Sequence, residues 1–266
     1  MSQRRKVVLV VAAHADDLEY NIGGTVARFI AEGHDVYRAA VTDSCRGTFD
    51  SEITVERMAE IGIAEAEAAG QALGLRGNFF LGFPDSILTD VHAAEIRERL
   101  MRIVRRLKVD VLVTWDPWAS RDDHPDHVVA GRCARWATEF APFPLMHPNH
   151  FLEQGVEPHW VTERYYFAKN PLPEADRVVD ISDYVEIKIE ALLKYESQMR
   201  LAYDGYVAYQ RSLGVPRAGW PKPVTADNYR LLMAEAIRRE AKESGEPFGI
   251  PYAEVFRYVK NEPRYP

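Results

Sequence analysis

Short aliphatic runs alternate with longer stretches whose apolar positions recur every three or four residues, and this rhythm fills the first half of the chain. Lys6–Ala13 (KVVLVVAA) and Val109–Trp115 (VDVLVTW) are apolar almost throughout, as strands buried on both faces of a sheet are. Val36–Thr42 and Asn78–Leu81 read as further strands. The helical spacing falls on Gly23–Glu32, on Thr54–Leu73 with Gly74 as its stop, and on Ala93–Leu107. Strand and helix in strict alternation predict an α/β protein, a three-layer sandwich on a mainly parallel sheet.

Beyond Asp116 the texture changes. Pro125–Phe140 reads as a helix, and Ala141–Glu163, rich in Pro, His and Gly, as a long surface loop. Arg164–Ala168 and Arg177–Ile181 read as strands, and Ile181–Tyr203 as one long helix entered from Ser182 or Asp183. An irregular aromatic stretch over Tyr203–Asn228 precedes a charged helix, Asn228–Ser244, and a last strand, Tyr252–Val259. No repeat, low-complexity tract or Pro/Gly/Ser linker divides the chain. Residues 1–266 are therefore read as one domain, with a core over 1–140 and substrate-side loops, helices and last strands over 141–266.

The 33 basic and 40 acidic residues leave a net charge of −7, which argues against a broad nucleic-acid binder. The apolar opening Val7–Ala13 spans about seven residues, far short of the ~20 that cross a bilayer, and no signal-peptide pattern follows it. Two cysteines, Cys45 and Cys133, supply neither a disulfide framework nor a four-thiolate zinc site. Together these features predict an unexported, cytoplasmic protein without a membrane span.

Candidate chemistry is concentrated where strands end. His14-Ala15-Asp16-Asp17-Leu18-Glu19 follows the first strand, at the sheet edge where ligands of open α/β sheets bind. Its carboxylates would repel one another unless a divalent cation relieved them; the plainer alternative is N-capping of the next helix, which one Asp would satisfy. A second cluster, Asp122-Asp123-His124-Pro125-Asp126-His127, follows the fourth strand, and Pro125 at a helix start lets His124 and His127 face the same edge. Histidine and carboxylate ligands with an open position are the pattern of catalytic zinc, whereas magnesium prefers oxygen alone. His147-Pro148-Asn149-His150 repeats the H-P-x-H spacing without a strand before it, so the first copy is preferred. His34, His92 and His159 stand apart from carboxylate clusters and read as surface residues, and Cys45 as ordinary packing.

The first motif with Gly23-Gly24-Thr25 behind it, and His124-Pro125-Asp126-His127, resemble the two signature motifs of the PIG-L/LmbE-like zinc-dependent N-deacetylases. Thr42-Asp43 with Arg46-Gly47, Leu73-Gly74, Leu81-Gly82-Phe83-Pro84-Asp85, Lys188-x-x-Ala191 running to Ser197-Gln198, and Ala253-Glu254-Val255-Phe256 extend the likeness along nearly the whole chain. Asp116-Pro117-Trp118 is similar to the diacetylchitobiose deacetylase branch. The resemblance implies a Rossmann-like fold, a Zn²⁺ cofactor held by His14, Asp17 and His127, and Asp16 as general base. It implies further that His124 stabilises the oxyanion and protonates the leaving amine, with Asp126 orienting it. The implied reaction releases acetate from an N-acetylglucosamine-type sugar or conjugate, and relatives often form trimers or hexamers, for which the aromatic Tyr203–Pro223 segment is a candidate interface. Ala15 stands where the family usually has Pro, Gly62 where many members carry Arg, and Tyr195 where His is common; these departures bear on loop rigidity and substrate contacts.

Arg46 and Asp85, on the same edge, are candidates for sugar hydroxyls, and Trp118, Trp160, Tyr203, Tyr206 and Trp220 for ring stacking, with Trp118 the preferred one. Other readings stay open: a hydratase or other amidase on this scaffold, a non-catalytic metal- or sugar-binding module, or a nucleotide-binding protein, which Gly23-Gly24 after acidic residues disfavours.

Overall fold

A computed structural model describes residues 4–119, 124–169, 175–214, 225 and 227–261. Among them a seven-stranded sheet runs in the order β3-β2-β1-β4-β5-β7-β6. Its strands are β1 (Val7–Ala12), β2 (Asp35–Thr42), β3 (Gly77–Phe83), β4 (Val111–Trp115), β5 (Glu163–Phe167), β6 (Arg177–Asp180) and β7 (Ala253–Lys260). The strands from β3 to β5 pair in parallel, and β7 runs antiparallel to both β5 and β6. β1 and β4 are adjacent, with Leu9 beside Leu112 and Val11 beside Thr114. Both are buried along nearly their whole length, as their uniform apolar composition requires between two helical layers.

The helices over the first half are α1 (Asp17–Ala31), α2 (Val55–Leu73), α3 (Ala93–Leu107) and α4 (Pro125–Phe140). Thr54 accepts the Arg57 N–H at the start of α2, and Gly74 closes it in the left-handed conformation, so cap and stop act as read. Pro125 occupies the first turn of α4, where its missing N–H is harmless. Gly131 lies where α4 crosses β4: a Cβ there would come within 2.4 Å of the Trp115 carbonyl oxygen, so helix and strand meet backbone to backbone.

Helix α1 begins at Asp17, earlier than the Gly23 start read from periodicity, and it is two segments joined at Ile22 (φ −135°, ψ 17°). The break has identifiable side-chain partners. Lys188 Nζ donates to the Asn21 carbonyl (3.1 Å), and Glu254 accepts from Gly24 N–H (3.1 Å) and Thr25 N–H (2.7 Å). Lys188 and Glu254 then pair with each other at 2.7 Å, both buried. A Cβ on Gly24 would sit 2.7 Å from Ile181 Cδ1, which explains the glycine at this crossing.

In the last third, three expectations need correction. The single helix over Ile181–Tyr203 is two, α6 (Val185–Leu192) and α7 (Glu196–Leu213), separated by Leu193 to Tyr195. Tyr195 takes a non-helical conformation (φ −84°, ψ 76°) because its ring and hydroxyl are drawn into the core beneath the first motif. α7 continues to Leu213, through part of the stretch read as irregular. The long loop after α4 contains a short helix, α5 (Asn149–Leu152), and the last helix, α8 (Tyr229–Gly245), packs near β7. His34 is buried rather than on the surface, accepting the Lys6 N–H at 3.3 Å.

Gly131→Ala is expected to destabilise the protein by about 1–3 kcal/mol, the usual range for overpacking a core contact, because neither backbone can retreat far. A thermal melt checks it; an unchanged Tm would show that the crossing is not tight.

Candidate active site

β1 lies between β2 and β4, the point where the strand order reverses, and the loops leaving β1 and β4 rise from one crevice. The first loop carries His14 and Asp17, and α4 brings His127 across from the other side. His14 Nδ1 lies 3.5 Å from Asp17 Oδ1, and His127 Nε2 lies 3.6 Å from the same oxygen. One donor atom from each of the three residues falls within 4.8 Å of the others. Asp17 Oδ2 is already engaged, accepting from His14 N–H (2.8 Å) and Trp115 Nε1–H (2.7 Å), so Oδ1 is the oxygen left facing the imidazoles. Trp115 also stacks on His127 at 3.7 Å with 7° between the planes. His14 Nε2 faces Asp85 (3.2 Å) and Asp126 (3.4 Å), the outer carboxylate partners that a metal-ligating histidine ordinarily keeps. Two imidazole nitrogens and one carboxylate oxygen form a donor set that suits a divalent transition metal.

The charges of the site are mutually dependent. Burial and the neighbouring Asp17 carboxylate push Asp16 up to about 6, close to where a general base works best near neutrality. Burial alone would raise Asp17 too, but His14 and His127 hold it well below the carboxylate range. Burial works to lower His14, yet Asp17 and hydrogen bonds with Asp126, Asp17 and Asp85 outweigh it, so His14 keeps a proton well above the usual histidine range. His124 is lowered by burial and by the nearby His14 and His127. Its Nδ1 accepts the Asp126 N–H at 3.3 Å, which leaves the proton of the neutral ring on Nε2.

Asp16 stands at the N-cap of α1 but makes no side-chain capping bond, so the capping alternative does not account for it. Glu19, counted with the acidic cluster in the sequence, turns away from the metal candidates. It is fully buried against Arg38, whose Nη1 lies 2.9 and 3.1 Å from its two oxygens, and the Tyr195 hydroxyl oxygen lies 3.1 Å from it. Asp126 also differs from expectation. Its carboxylate accepts from Ser86 N–H (2.6 Å) and Leu88 N–H (3.0 Å) and faces His14, while its hydrogen bond to His124 runs through the main chain.

A cavity of about 640 Å³ opens over these residues, within the usual size range of small-molecule sites. Arg46 and Asp85 line it and are tied together: Asp85 accepts the Arg46 N–H at 2.9 Å, and Arg46 Nη1 donates to the Asp85 carbonyl. Gly62 also lines it, and a Cβ there would meet nothing nearer than Ser44 at 3.8 Å, so the wall is open where a side chain is missing. Trp118 is not in the lining. Its ring packs against Arg257 (4.5 Å) and edge-on to Tyr166, and that arginine is held by Asp116 through two hydrogen bonds of 2.7 and 3.0 Å. Trp160, Tyr203 and Tyr206 are likewise outside the described lining; Trp220, Asp122 and Asp123 lie outside the described residues, as does the Tyr203–Pro223 segment beyond Gly214.

The second H-P-x-H copy is seated elsewhere. His150 is fully buried, with Nε2 2.8 Å from Glu98 and Nδ1 accepting from Arg105 at 3.1 Å. Arg105 also donates to the carbonyls of Ala141 and Phe143, so the group staples the loop after α4 to α3. Reading the sequence missed Trp115 and Arg38. One signal was available for Arg38, a lone charge inside the apolar strand Val36–Thr42.

A mainly parallel sheet carrying a histidine–aspartate cluster at its switch point is the arrangement of a metal-dependent α/β enzyme, and comparison with known proteins gives the family. Residues 9–138 match the family model described as PIG-L, GlcNAc-PI de-N-acetylase. The chain is 30% identical over 194 residues to a diacetylchitobiose deacetylase of Thermococcus kodakarensis, covering 73% of this chain and 70% of that protein. It is 28% identical to the 1D-myo-inositol 2-acetamido-2-deoxy-alpha-D-glucopyranoside deacetylase of a Mycobacterium species, covering 91% and 88%. The solved N,N'-diacetylchitobiose deacetylase of Pyrococcus horikoshii superimposes with a TM-score of 0.78 at 25% identity, over 96% of this chain and 84% of that one. The chain belongs to the PIG-L family of deacetylases.

Two outcomes are expected. A cation entering this cluster must displace the proton that the metal-free site holds on His14, so apparent affinity should weaken as pH falls, by up to about tenfold per pH unit for one proton. Chelator competition between about pH 6 and about pH 8 measures it, and a flat profile would remove His14 from the ligand set. His127→Ala should abolish metal binding while His150→Gln keeps it, as metal analysis of the purified variants will show.

Proposed function

We propose that the protein hydrolyses the acetamido group of an N-acetylglucosamine-type sugar or its conjugate, releasing acetate and a free amine, with zinc held by His14, Asp17 and His127. The observation that carries this reading is the position of Asp16. It is a carboxylate beside the three candidate ligands, in the wall of the cavity, raised to about 6 and making no capping bond. A divalent cation at the cluster supplies the positive charge that polarises an amide carbonyl and acidifies water.

The chain's own residues supply the rest. Asp16 takes the proton of the attacking water. His124 is neutral and carries its proton on Nε2, on the cavity wall, where it donates a hydrogen bond to the oxyanion that develops; a neutral imidazole does not give that proton up, so the leaving amine takes the one that Asp16 gained from the water. Asp126 holds His14 and the loop at Ser86 and Leu88, so it orients the ligand side of the site. Arg46 and Asp85 are placed to meet sugar hydroxyls, with the Asp85 carboxyl held down at about 2, where His14 and the Arg46 N–H outweigh burial, so it accepts hydrogen bonds at any physiological pH. The names of the relatives support an N-acetylglucosamine unit as the group recognised.

No described helix is long and apolar enough to cross a membrane. Both cysteines are free and buried, in keeping with a reducing, cytoplasmic setting. The acetamido-sugar substrate would then be a small molecule, and a homo-oligomer is proposed on the resemblance alone.

Acetate release from a panel of acetamido sugars by the zinc-loaded protein tests the reading. Asp16→Asn should retain zinc and lose at least about 10²-fold in kcat. Normal turnover by that variant would remove Asp16 as the base, and zinc binding without acetate release from any acetamido sugar would point to a different substrate class.

A further inference from the structure

The backbone of Ala15, between His14 and Asp16, is held at both its N–H and its carbonyl by residues outside the two motifs. The Ala15 N–H donates to Ser44 Oγ at 3.0 Å. The Ala15 carbonyl accepts from Tyr195 OH at 2.6 Å and from Arg38 Nη1 at 2.9 Å. Arg38 and Tyr195 are themselves locked: Arg38 Nη1 donates to the Tyr195 hydroxyl (2.8 Å), Nε donates to Asn78 Oδ1 (2.9 Å), and Glu19 balances the charge beneath them. Glu19, Arg38 and Tyr195 are at most 1% exposed, so water does not substitute for a lost partner.

We propose that Tyr195, Arg38 and Ser44 are positioning residues that clamp the Ala15 peptide and thereby aim His14 on one side and Asp16 on the other. This rests on the metal-site reading above. Three observations support a positioning role over a merely packed core. The clamp grips one residue, Ala15, through the peptide group it shares with a candidate ligand and the one it shares with the candidate base. It arrives from three separate elements, the strand β2, the loop after it, and the break between α6 and α7. The break between α6 and α7 exists where Tyr195 turns inward, so local helical geometry is given up for this contact. Ala15 has an N–H for Ser44 that a proline would lack, and the Tyr195 hydroxyl supplies a donor to its carbonyl.

The test uses the whole protein and two readouts. Zinc affinity by chelator competition, with the Co²⁺ absorption spectrum as a probe of ligand geometry, is compared in wild type, Tyr195→Phe, Tyr195→His and Ser44→Ala; kcat and KM on N-acetylated sugars accompany it. Tyr195→Phe keeps the ring and removes the donor. It should weaken zinc binding about tenfold, alter the Co²⁺ spectrum and lower kcat more than KM changes, the usual scale for losing an outer partner of a metal site. Tyr195→His should recover most of this, and Ser44→Ala, which leaves the core intact, should give a smaller loss in the same direction. Val179→Ala, a buried change in β6 remote from the cluster, serves as the stability control and should leave zinc affinity unchanged. Wild-type zinc affinity and spectrum in both Tyr195→Phe and Ser44→Ala would overturn the clamp, as would an equal loss in the Val179→Ala control. Should Tyr195→Phe fail to fold, Ser44→Ala alone decides by the same criterion. Failure of the wild type to bind zinc would instead overturn the metal reading itself, and the clamp with it.

Discussion

The Asp17 carboxylate is the charge on which the site depends. Burying an ionised carboxyl is expensive unless every lone pair finds a partner. Here one oxygen is taken by the Trp115 indole and the His14 N–H, and the other is left to two imidazoles. That arrangement fixes the faces that His14 and His127 present to each other. Trp115 can serve because it ends β4 at the point where the strand meets α4, and it can reach because Gly131 lets the helix lie on the strand backbone. A tight crossing, a buried indole and a polarised carboxylate thus form one chain of dependence.

The elaborated C-terminal third bears on the site from below. Lys188 and Glu254 reach the break in α1 and hold the segment that begins with Asp17 at its angle. Tyr195, from the turn between α6 and α7, reaches the peptide between His14 and Asp16. Arg257, from β7, holds Asp116 just after β4 and lies against Trp118. Through these contacts residues far along the chain bear on the site although none of them supplies reactive chemistry: the motif loops are short, and their geometry is set by what packs against them.

Much of the sheet was legible from periodicity, since strands buried on both faces must be apolar throughout and helices covering them must be amphipathic. The ends of α1 and of the helices after Ile181 were not legible. Asp17–Ile22 offers only Leu18 and Ile22 as an apolar pair, one turn and too short to show a helical period, and the α6/α7 break answers to the Ala15 carbonyl some 180 positions away in sequence, which the Tyr195 hydroxyl reaches. Within the site, two His/Asp clusters were marked by their place at strand ends, the resemblance implied His14, Asp17 and His127 among them, and the structure brings these three together. Trp118, the ring expected to stack on a sugar, lies against Arg257. The nearby Trp115, hidden inside a buried strand, is the one that touches the cluster.

By itself, then, the sequence determined the architecture, the two loops that carry chemistry and the chemical class of their side chains, because hydrophobic period and residue type are local properties. Only the tertiary structure decided which of several equivalent groups face one another. It turned Glu19 toward Arg38 and away from Asp17, engaged Asp126 with His14 and the Ser86 loop, and buried His150 in a staple although its spacing copies that of His127. The physical reason is common to all three. A buried polar group must be satisfied by whatever the fold places within hydrogen-bond reach, and that partner is set by strand order and crossing geometry, which no window of sequence contains.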